Sequence, residues 1–98
     1  MPFEWSEAKA LSNLQKHGVR FEEAATVFDD PLGAIFGDPD HSEEETRFVL
    51  VGRSEAKRLL IVSYTERQEV TRIISARPVT RKEQRDYATG NDPYRGGR

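Results

Sequence analysis

The stretch RLLIVSYTERQEVTRIISAR, residues 58–77, decides the fold of this chain. Residues 59–62 form an uninterrupted apolar run, and residues 70–76 resume the apolar pattern after a polar break at residues 66–69. Both runs are rich in β-branched residues, and two such runs with a short polar connection predict a β-hairpin. The first run is apolar on both faces, which indicates a central strand that helices cover on at least one side.

Three arginines lie on this predicted hairpin. Arg67 is at its turn, Arg72 is inside the second strand and Arg77 is at the end of that strand. Strict alternation of side chains would place Arg72 on one face of the sheet and Arg77 on the other. An arginine in an apolar strand needs a carboxylate, a phosphate or a route to water at the strand end. Phosphate binding and pairing with an acid such as Glu66 are therefore both open interpretations.

Length and composition narrow the class of protein. The 98 residues predict one domain, and the absence of cysteine excludes disulfides and thiolate metal sites. The sequence has no targeting pattern and no apolar run near the ~20 residues of a membrane span, so we expect a cytoplasmic protein. The segment HSEEETR, residues 41–47, lacks the ligand spacing of a metal site, so no metal and no cofactor are predicted.

Charge is distributed unevenly along the chain. Residues 1–45 contain eleven acidic residues and three Lys or Arg, whereas residues 46–98 contain six acidic residues and twelve Lys or Arg. Ten of those twelve cations are arginines, whose planar guanidinium groups match the geometry of phosphate. This asymmetry indicates a polyanionic partner. The alternative is that the two halves neutralise each other within the domain.

The first helix is predicted over residues 7–17, between Ser6 as N-cap and Gly18 as C-cap. Its buried stripe is expected to contain Ala8 and Leu11, with Leu14 or Ala10. A second line of side chains, spaced four apart, is polar, and it is either a ligand-binding face or an ordinary solvated one. Its members are Lys9, Asn13 and His17.

The remaining elements complete an α+β domain over residues 1–89. A second helix is predicted over residues 21–28, strands over residues 32–36 and 48–51, and a final helix from the capping box of Thr80 and Glu83 to Ala88. Tyr87 and Gln84 of that helix are expected to face the sheet. The predicted architecture is two N-terminal helices packed on a small, mostly antiparallel four-stranded sheet, with a C-terminal helix. Residues 90–98 are rich in Gly and Arg and are predicted to be a disordered tail.

Several segments between residue 3 and about residue 88 together resemble the BrnT family of toxins. The matching residues, in order, are Phe3-Glu4-Trp5, Lys9, Asn13, Lys16-His17-Gly18-Val19, Phe21-Glu22-Glu23-Ala24, His41-Ser42, Glu45, Arg47, Thr65-Glu66-Arg67, Arg72-Ile73-Ile74-Ser75-Ala76-Arg77, Glu83 and Tyr87. Ser6 stands where the family commonly has Asp, and both residues cap a helix.

The resemblance implies a RelE-like fold and a ribonuclease toxin of a type II toxin–antitoxin module. Such a toxin would cleave RNA without a metal ion and so inhibit translation and growth. Its partner would be a ribbon-helix-helix antitoxin similar to BrnA, in a heterotetramer of two toxin and two antitoxin chains. Fold alone does not determine activity, so the alternative is a non-enzymatic toxin or interaction domain that binds and blocks a protein target.

RNA cleavage without a metal needs a base for the 2′-hydroxyl, an acid for the departing 5′-oxygen and cations around the phosphorane. The predicted catalytic residues are Arg67, Arg72 and Arg77 for phosphate stabilisation, His17 or His41 for proton transfer, and Glu45 or Glu66 as the substitute base. The predicted RNA-binding residues are Lys9, Asn13, Lys16, Arg47 and Tyr64.

Overall fold

The computed structural model describes residues 2–37, 46–91 and 93. Its elements, in chain order, are β1 (Phe3–Glu4), α1 (Glu7–His17), α2 (Phe21–Thr26), a 3₁₀ helix (Val27–Asp29), β2 (Ala34–Gly37), β3 (Phe48–Arg53), β4 (Leu59–Arg67), β5 (Val70–Pro78) and α3 (Arg81–Ala88). The strands form one sheet in the order β1-β5-β4-β3-β2. None of the helices in this part of the chain is long and apolar enough to cross a membrane.

The predicted hairpin is confirmed, and its first strand, β4, is the central strand of the sheet. The prediction of four strands is wrong, because β1 adds a fifth strand that pairs in parallel with β5. Phe3 lies beside Thr71, whose backbone N–H donates to the carbonyl oxygen of Pro2 at 3.1 Å. A strand of two residues is too short to produce a periodic pattern, so sequence analysis saw only an extended segment there.

The two faces of the sheet are covered differently. On one face, which we call the α1/α2 face, strand residues pack against the first two helices and the 3₁₀ helix. The buried residues of this core are Val19, Phe21, Ala24, Val27, Leu50, Leu60, Val62, Tyr64, Ile73 and Ala76. On the opposite face, called the α3 face, Val49, Val51, Leu59 and Ile61 pack against Val79 and Tyr87. The sheet is therefore apolar on both sides of β4, as predicted.

A bulge in β5 changes which of its side chains share a face. Ser63 of β4 is opposite Ser75, whereas the next residue, Tyr64, is opposite Ile73. Ile74 is thus an extra residue in β5. Such a residue reverses the alternation of side chains from that point of the strand onward.

Because of the bulge, Arg72 and Arg77 lie on the same face of the sheet. Arg72 is opposite Thr65 and Arg77 is opposite Ile61, and residues opposite each other in an antiparallel pair share a face. Thr65 and Ile61 are four apart on β4, so both belong to the α3 face. The expectation that the two arginines lie on opposite faces is wrong. It assumed unbroken alternation, and a one-residue insertion in a strand has no reliable signature in sequence.

Helix α1 has the predicted bounds, and of the predicted stripe Ala10 packs against the core and Leu14 is half-buried, but the other two members do not face the sheet. Ala8 is exposed and Leu11 is 59% exposed, whereas Asn13 is buried. The Asn13 Nδ2 atom donates to the carbonyl oxygens of Val19 at 3.0 Å and Ala76 at 2.8 Å, and its Oδ1 atom accepts from the Ala76 N–H at 3.0 Å. A carboxamide has the same donor and acceptor as a peptide group. Asn13 therefore pairs with the edge of β5 beyond the end of β1.

Helix α3 begins at the predicted capping box. The Thr80 Oγ1 atom accepts from the Glu83 N–H at 3.1 Å, and the Glu83 Oε1 atom accepts from the Thr80 N–H at 2.8 Å. Tyr87 packs towards the sheet and donates its hydroxyl proton to the Leu32 carbonyl at 2.6 Å, whereas Gln84 is exposed, contrary to expectation. In the tail, Pro93 is buried. Most of the tail lies outside the described residues, so its disorder stays a prediction.

The connection between β4 and β5 consists of two residues, Gln68 and Glu69, since Arg67 is opposite Val70. Their φ angles are 52° and 67°, which is the left-handed region required by a type I′ turn. Lys57, in the connection between β3 and β4, has a φ of 67°. For side chains other than Gly or Asn, such a conformation costs about 1 kcal/mol or more per residue. The chain keeps three strained positions where glycine would be more stable.

The carboxylate of Glu23 joins α2 to the connection between β3 and β4. It accepts hydrogen bonds from the Arg58 Nε atom at 3.0 Å, the Arg58 Nη2 atom at 2.6 Å and the Ser54 hydroxyl at 2.7 Å. The hydrogen bond with Arg58 is the main cause that lowers the pKa of Glu23 below its ordinary value. Arg58 also donates to the Gly18 carbonyl at 3.0 Å, so one guanidinium group connects α1, α2 and the sheet.

Candidate functional site

Arg72 is the predicted catalytic residue whose surroundings best fit phosphate binding. Its Nη1 atom donates to the Glu4 Oε2 atom at 3.0 Å, and the two side chains are 38% and 45% exposed. β1 supplies Glu4, which lies next to Arg72 in the parallel pairing with β5. An ion pair this exposed contributes about 0–1 kcal/mol. A phosphate can therefore compete with the carboxylate for this guanidinium group at little cost in stability.

Hydroxyl side chains lie beside Arg72 on the α3 face. Thr65 is directly opposite Arg72, and Ser63 is opposite Ser75 one step further along the hairpin. Thr65 is buried, while Ser63 and Ser75 are half-buried. Hydroxyl groups and a guanidinium group donate hydrogen bonds to phosphate oxygens. Arg72, Ser63 and Ser75, which are only half-buried, therefore have the chemistry of an anion-binding surface.

Arg77 lies on the same face, but it holds α3 to the sheet. Its Nη1 and Nη2 atoms donate to Glu83 Oε1 at 2.9 Å and Oε2 at 2.8 Å, and Nη1 also donates to the Pro78 carbonyl at 3.2 Å. The Glu83 side chain is only 8% exposed, and the Arg77 hydrogen bond is the main cause that lowers its pKa. The acid-pairing interpretation therefore describes Arg77, with Glu83 as the acid instead of Glu66.

Three of the polar residues predicted on α1 come together beside the bulge. Lys9, Lys16 and His17 are exposed. Together with Ser12, Asn13, Ile74 and Ser75, they line a depression between α1 and β5. Arg72 and Ser75, on either side of the bulge, thus share the α3 face. The depression beside the bulge is a second surface, and the first helix contributes its cationic residues. Two lysines and a histidine at this position can attract a polyanion.

Tyr64 and Asn13 are not placed to bind RNA, so these two assignments are corrected. Tyr64 is 3% exposed in the core on the α1/α2 face, where its ring centroid lies 4.9 Å from that of Phe28 and 5.6 Å from that of Phe48. Burial raises the pKa of its hydroxyl. Asn13 uses its carboxamide inside the protein. The four-residue spacing of polar residues on α1 could not show whether the Asn13 side chain faces solvent or pairs with the edge of a strand.

The other predicted site residues are more scattered. Glu66 is exposed and opposite Thr71, which places it on the α1/α2 face and not beside Arg72. Arg67 is exposed at the end of β4, on the same face as Arg72, and Arg47 is half-buried just before β3. His41 and Glu45 lie outside the described residues.

Sequence reasoning missed two carboxylates that touch the arginines. Glu4 meets Arg72 only because β1 pairs with a strand nearly seventy residues away, and no local pattern indicates that pairing. Glu83 was recognised as a capping residue, and its position six residues after Arg77, across a proline, was an available signal for the ion pair.

Comparison with known proteins agrees with this fold. The model of the family described as the ribonuclease toxin, BrnT, of type II toxin–antitoxin systems matches residues 5–83. The crystal structure of the Brucella abortus ribonuclease toxin, BrnT, is similar with a TM-score of 0.61 and 20% sequence identity, over 83% of this chain and 99% of that chain. At that identity the likeness shows the fold alone. No match was found among curated protein sequences. Because the family model covers most of the chain, this protein belongs to the BrnT family of ribonuclease toxins of type II toxin–antitoxin systems.

Proposed function

We propose that this protein is a metal-independent endoribonuclease that inhibits translation and growth by cleaving RNA at a phosphate bound to Arg72. The observation that carries the proposal is the exposed guanidinium group of Arg72 beside hydroxyl side chains, where its one hydrogen bond within the described residues is to the similarly exposed carboxylate of Glu4. Membership of a ribonuclease toxin family supports the reaction type. The position of Arg72 supports the assignment of the phosphate site.

The reaction is attack of the 2′-hydroxyl oxygen on the adjacent phosphorus atom. The bond between phosphorus and the 5′-oxygen breaks, which leaves a 2′,3′-cyclic phosphate and a 5′-hydroxyl. Arg72 would donate hydrogen bonds to the phosphorane oxygens as their negative charge develops. Glu4, whose carboxylate is 3.0 Å from Arg72, is our candidate base for the 2′-hydroxyl proton.

The acid that protonates the departing 5′-oxygen is, in our proposal, His17. It lies with Lys9 and Lys16 in the depression that borders Ser75, and these lysines would hold the phosphates that flank the cleaved bond. Arg67, at the end of β4 on the face of Arg72, would contact the same RNA strand. Base or acid roles for His41, Glu45 and Glu66 stay predictions, as do the RNA contact of Arg47 and the RelE-like classification.

The test is incubation of purified protein with single-stranded RNA, with and without EDTA. We expect cleavage products with 2′,3′-cyclic phosphate ends in both conditions. Arg72→Ala should reduce the cleavage rate by about 100-fold or more, the typical effect of removing one transition-state donor. Arg20→Ala is the matched control, because Arg20 is exposed at the start of α2, away from the α3 face. Wild-type protein that leaves RNA intact would refute the proposal.

Glu4→Gln separates the two possible roles of the carboxylate. If Glu4 is the base, this variant should bind RNA normally and cleave it slowly. If Glu4 only holds Arg72, the variant should cleave at nearly the wild-type rate. A protein that blocks another protein target would stop growth without producing any RNA ends.

The proposed partner is a ribbon-helix-helix antitoxin similar to BrnA, in a cytoplasmic complex of two toxin and two antitoxin chains. The classification of the family as part of a type II module supports a protein antitoxin. Co-expression with the neighbouring open reading frame should relieve growth inhibition, and the mass of the purified complex gives the stoichiometry. The complex should also melt at a higher temperature than the toxin alone, because the partner binds only the folded state.

A further inference from the structure

We propose that the two-residue turn of the β4–β5 hairpin, Gln68 and Glu69, contacts a base of the RNA and sets the sequence preference of cleavage. The expected base is guanine. The inference rests on the proposed function, since it concerns the same RNA strand that Arg72 is proposed to bind. It assigns a role to two side chains that the reaction itself does not use.

The backbone of this turn is the first observation. Both residues have positive φ angles, at 52° and 67°, and a type I′ turn is most stable with Asn-Gly or Asp-Gly. The chain instead carries two long polar side chains at the positions where small residues fit best. Strain of this kind is typical of sites where the side chain has a function that a more stable residue would not serve.

The two side chains are also without a structural role. Both are exposed, and within the described ranges neither makes a hydrogen bond or an ion pair. Contacts among the residues that the structure describes therefore do not explain why Gln and Glu occupy the strained positions. A carboxylate and a carboxamide that point into solvent are available to a ligand.

The position of the turn relative to Arg72 is the third observation. Arg72 is three residues from Glu69 along β5, which is about 10 Å in an extended strand. That distance is close to the span of one nucleotide from its phosphate to the far edge of its base. Arg67, on the same face, lies between them on the facing strand. An RNA strand held at Arg72 can thus bring one unstacked base to the turn.

The chemistry of the side chains indicates which base. A carboxylate is an acceptor only, and it accepts two parallel hydrogen bonds when a partner presents two adjacent donors. The Watson–Crick edge of guanine presents such a pair, its N1–H and its amino group, and this edge is accessible to proteins in single-stranded RNA. Gln68 has both a donor and acceptors, so it can bond the neighbouring carbonyl oxygen of guanine.

The experiment compares two connections in which residues other than glycine have positive φ angles. Gln68→Asn/Glu69→Gly converts the hairpin turn to the favoured sequence, and Lys57→Gly does the same at the left-handed residue between β3 and β4. Both variants should melt at a higher temperature, by about 4–8 °C. Only the hairpin variant should change the cleavage pattern, with the preference for guanine next to the cut reduced by about tenfold or more.

Glu69→Gln is the second variant, because it keeps the strained turn and removes only the charged acceptor. We expect its melting temperature to be unchanged and its guanine preference to be reduced. Unchanged cleavage positions and relative rates in both turn variants would overturn the inference. Loss of antitoxin binding with an intact cleavage pattern would overturn it too, because the turn would then be a protein contact.

Binding of uncleavable RNA separates this inference from the reaction. Two short oligonucleotides with 2′-O-methyl groups, one with a single guanine and one with adenine at that position, are titrated with wild-type protein and with Glu69→Gln. The inference expects the wild type to bind the guanine oligonucleotide more tightly and Glu69→Gln to bind the two equally. Equal binding by the wild type refutes the inference even if RNA is cleaved. A guanine preference without any cleavage refutes the proposed function instead.

Discussion

Arg77 and Arg72 lie on one face of one strand, yet their removal should have opposite consequences. Arg77 donates two hydrogen bonds, of 2.9 and 2.8 Å, to a Glu83 side chain that is only 8% exposed. Breaking a fully buried pair costs about 3–5 kcal/mol. Arg77 is 32% exposed, and Glu83 keeps its hydrogen bond from Thr80 at the start of α3. We therefore expect Arg77→Ala to lower the free energy of unfolding by about 2 kcal/mol.

For a domain of this size, that loss corresponds to a melting temperature lower by about 10 °C. Arg72→Ala removes an exposed pair worth about 0–1 kcal/mol, so its melting temperature should stay within a few degrees of the wild type. In RNA assays well below both melting temperatures, Arg77→Ala should still cleave and Arg72→Ala should not.

Thermal melts and cleavage rates, measured on the same protein samples, test this contrast. Adding Glu83→Gln to Arg77→Ala should recover part of the lost stability, because no unpaired buried charge is left. The reasoning fails if Arg77→Ala melts like the wild type and has lost cleavage. Arg77 would then be a catalytic residue, as the sequence first suggested. It fails as well if Arg72→Ala unfolds as early as Arg77→Ala.

Two further predictions concern stability. Asn13→Leu should lower the free energy of unfolding by about 3 kcal/mol in urea titrations, because it leaves the buried N–H and C=O of Ala76 unpaired. Gln15→Leu is the control, because Gln15 is exposed, and it should change the free energy of unfolding by less than about 0.5 kcal/mol. Equal effects of the two leucines would contradict the role assigned to Asn13. Glu23 and Glu83 have lowered pKa values in the folded protein, so their carboxylates stabilise the fold fully at any pH above their unfolded-state pKa near 4.3. This stabilisation is lost as the pH falls through their folded-state pKa values. Urea titrations between pH 7 and pH 3 should show stability falling below about pH 4.5, with a smaller fall in Glu23→Gln/Glu83→Gln; identical curves would refute this.

Local sequence signals predicted the elements that are formed by local interactions. The bounds of α1 follow from Ser6 and Gly18, and the hairpin follows from two β-branched runs around a polar break. The start of α3 follows from the spacing of Thr80 and Glu83. In each case, the residues that specify the element lie within it or at its ends.

Non-local pairings account for most of what was missed. β1 forms only because β5 offers an edge, and Asn13 is buried only because β1 ends too early to cover Ala76. The Ile74 bulge depends on how β5 meets β4, and it decides which face carries Arg72. The strand that carries Arg72 and Arg77 could therefore be predicted from sequence, but not the face of the sheet on which each arginine lies.

The bulge also makes β5 tolerant of one particular change in length. Deletion of the single codon for Ile74 would restore unbroken alternation along the strand. Because Ile74 is the extra residue, Ala76, Ser75, Ile73 and Arg72 would all keep their present faces of the sheet. A three-nucleotide deletion at this position would thus keep the reading frame and leave every proposed site residue of β5 on its present face. We therefore expect an Ile74 deletion variant still to inhibit growth, and this deletion should be missing when the toxin gene is sequenced in bacteria selected to survive expression of the protein.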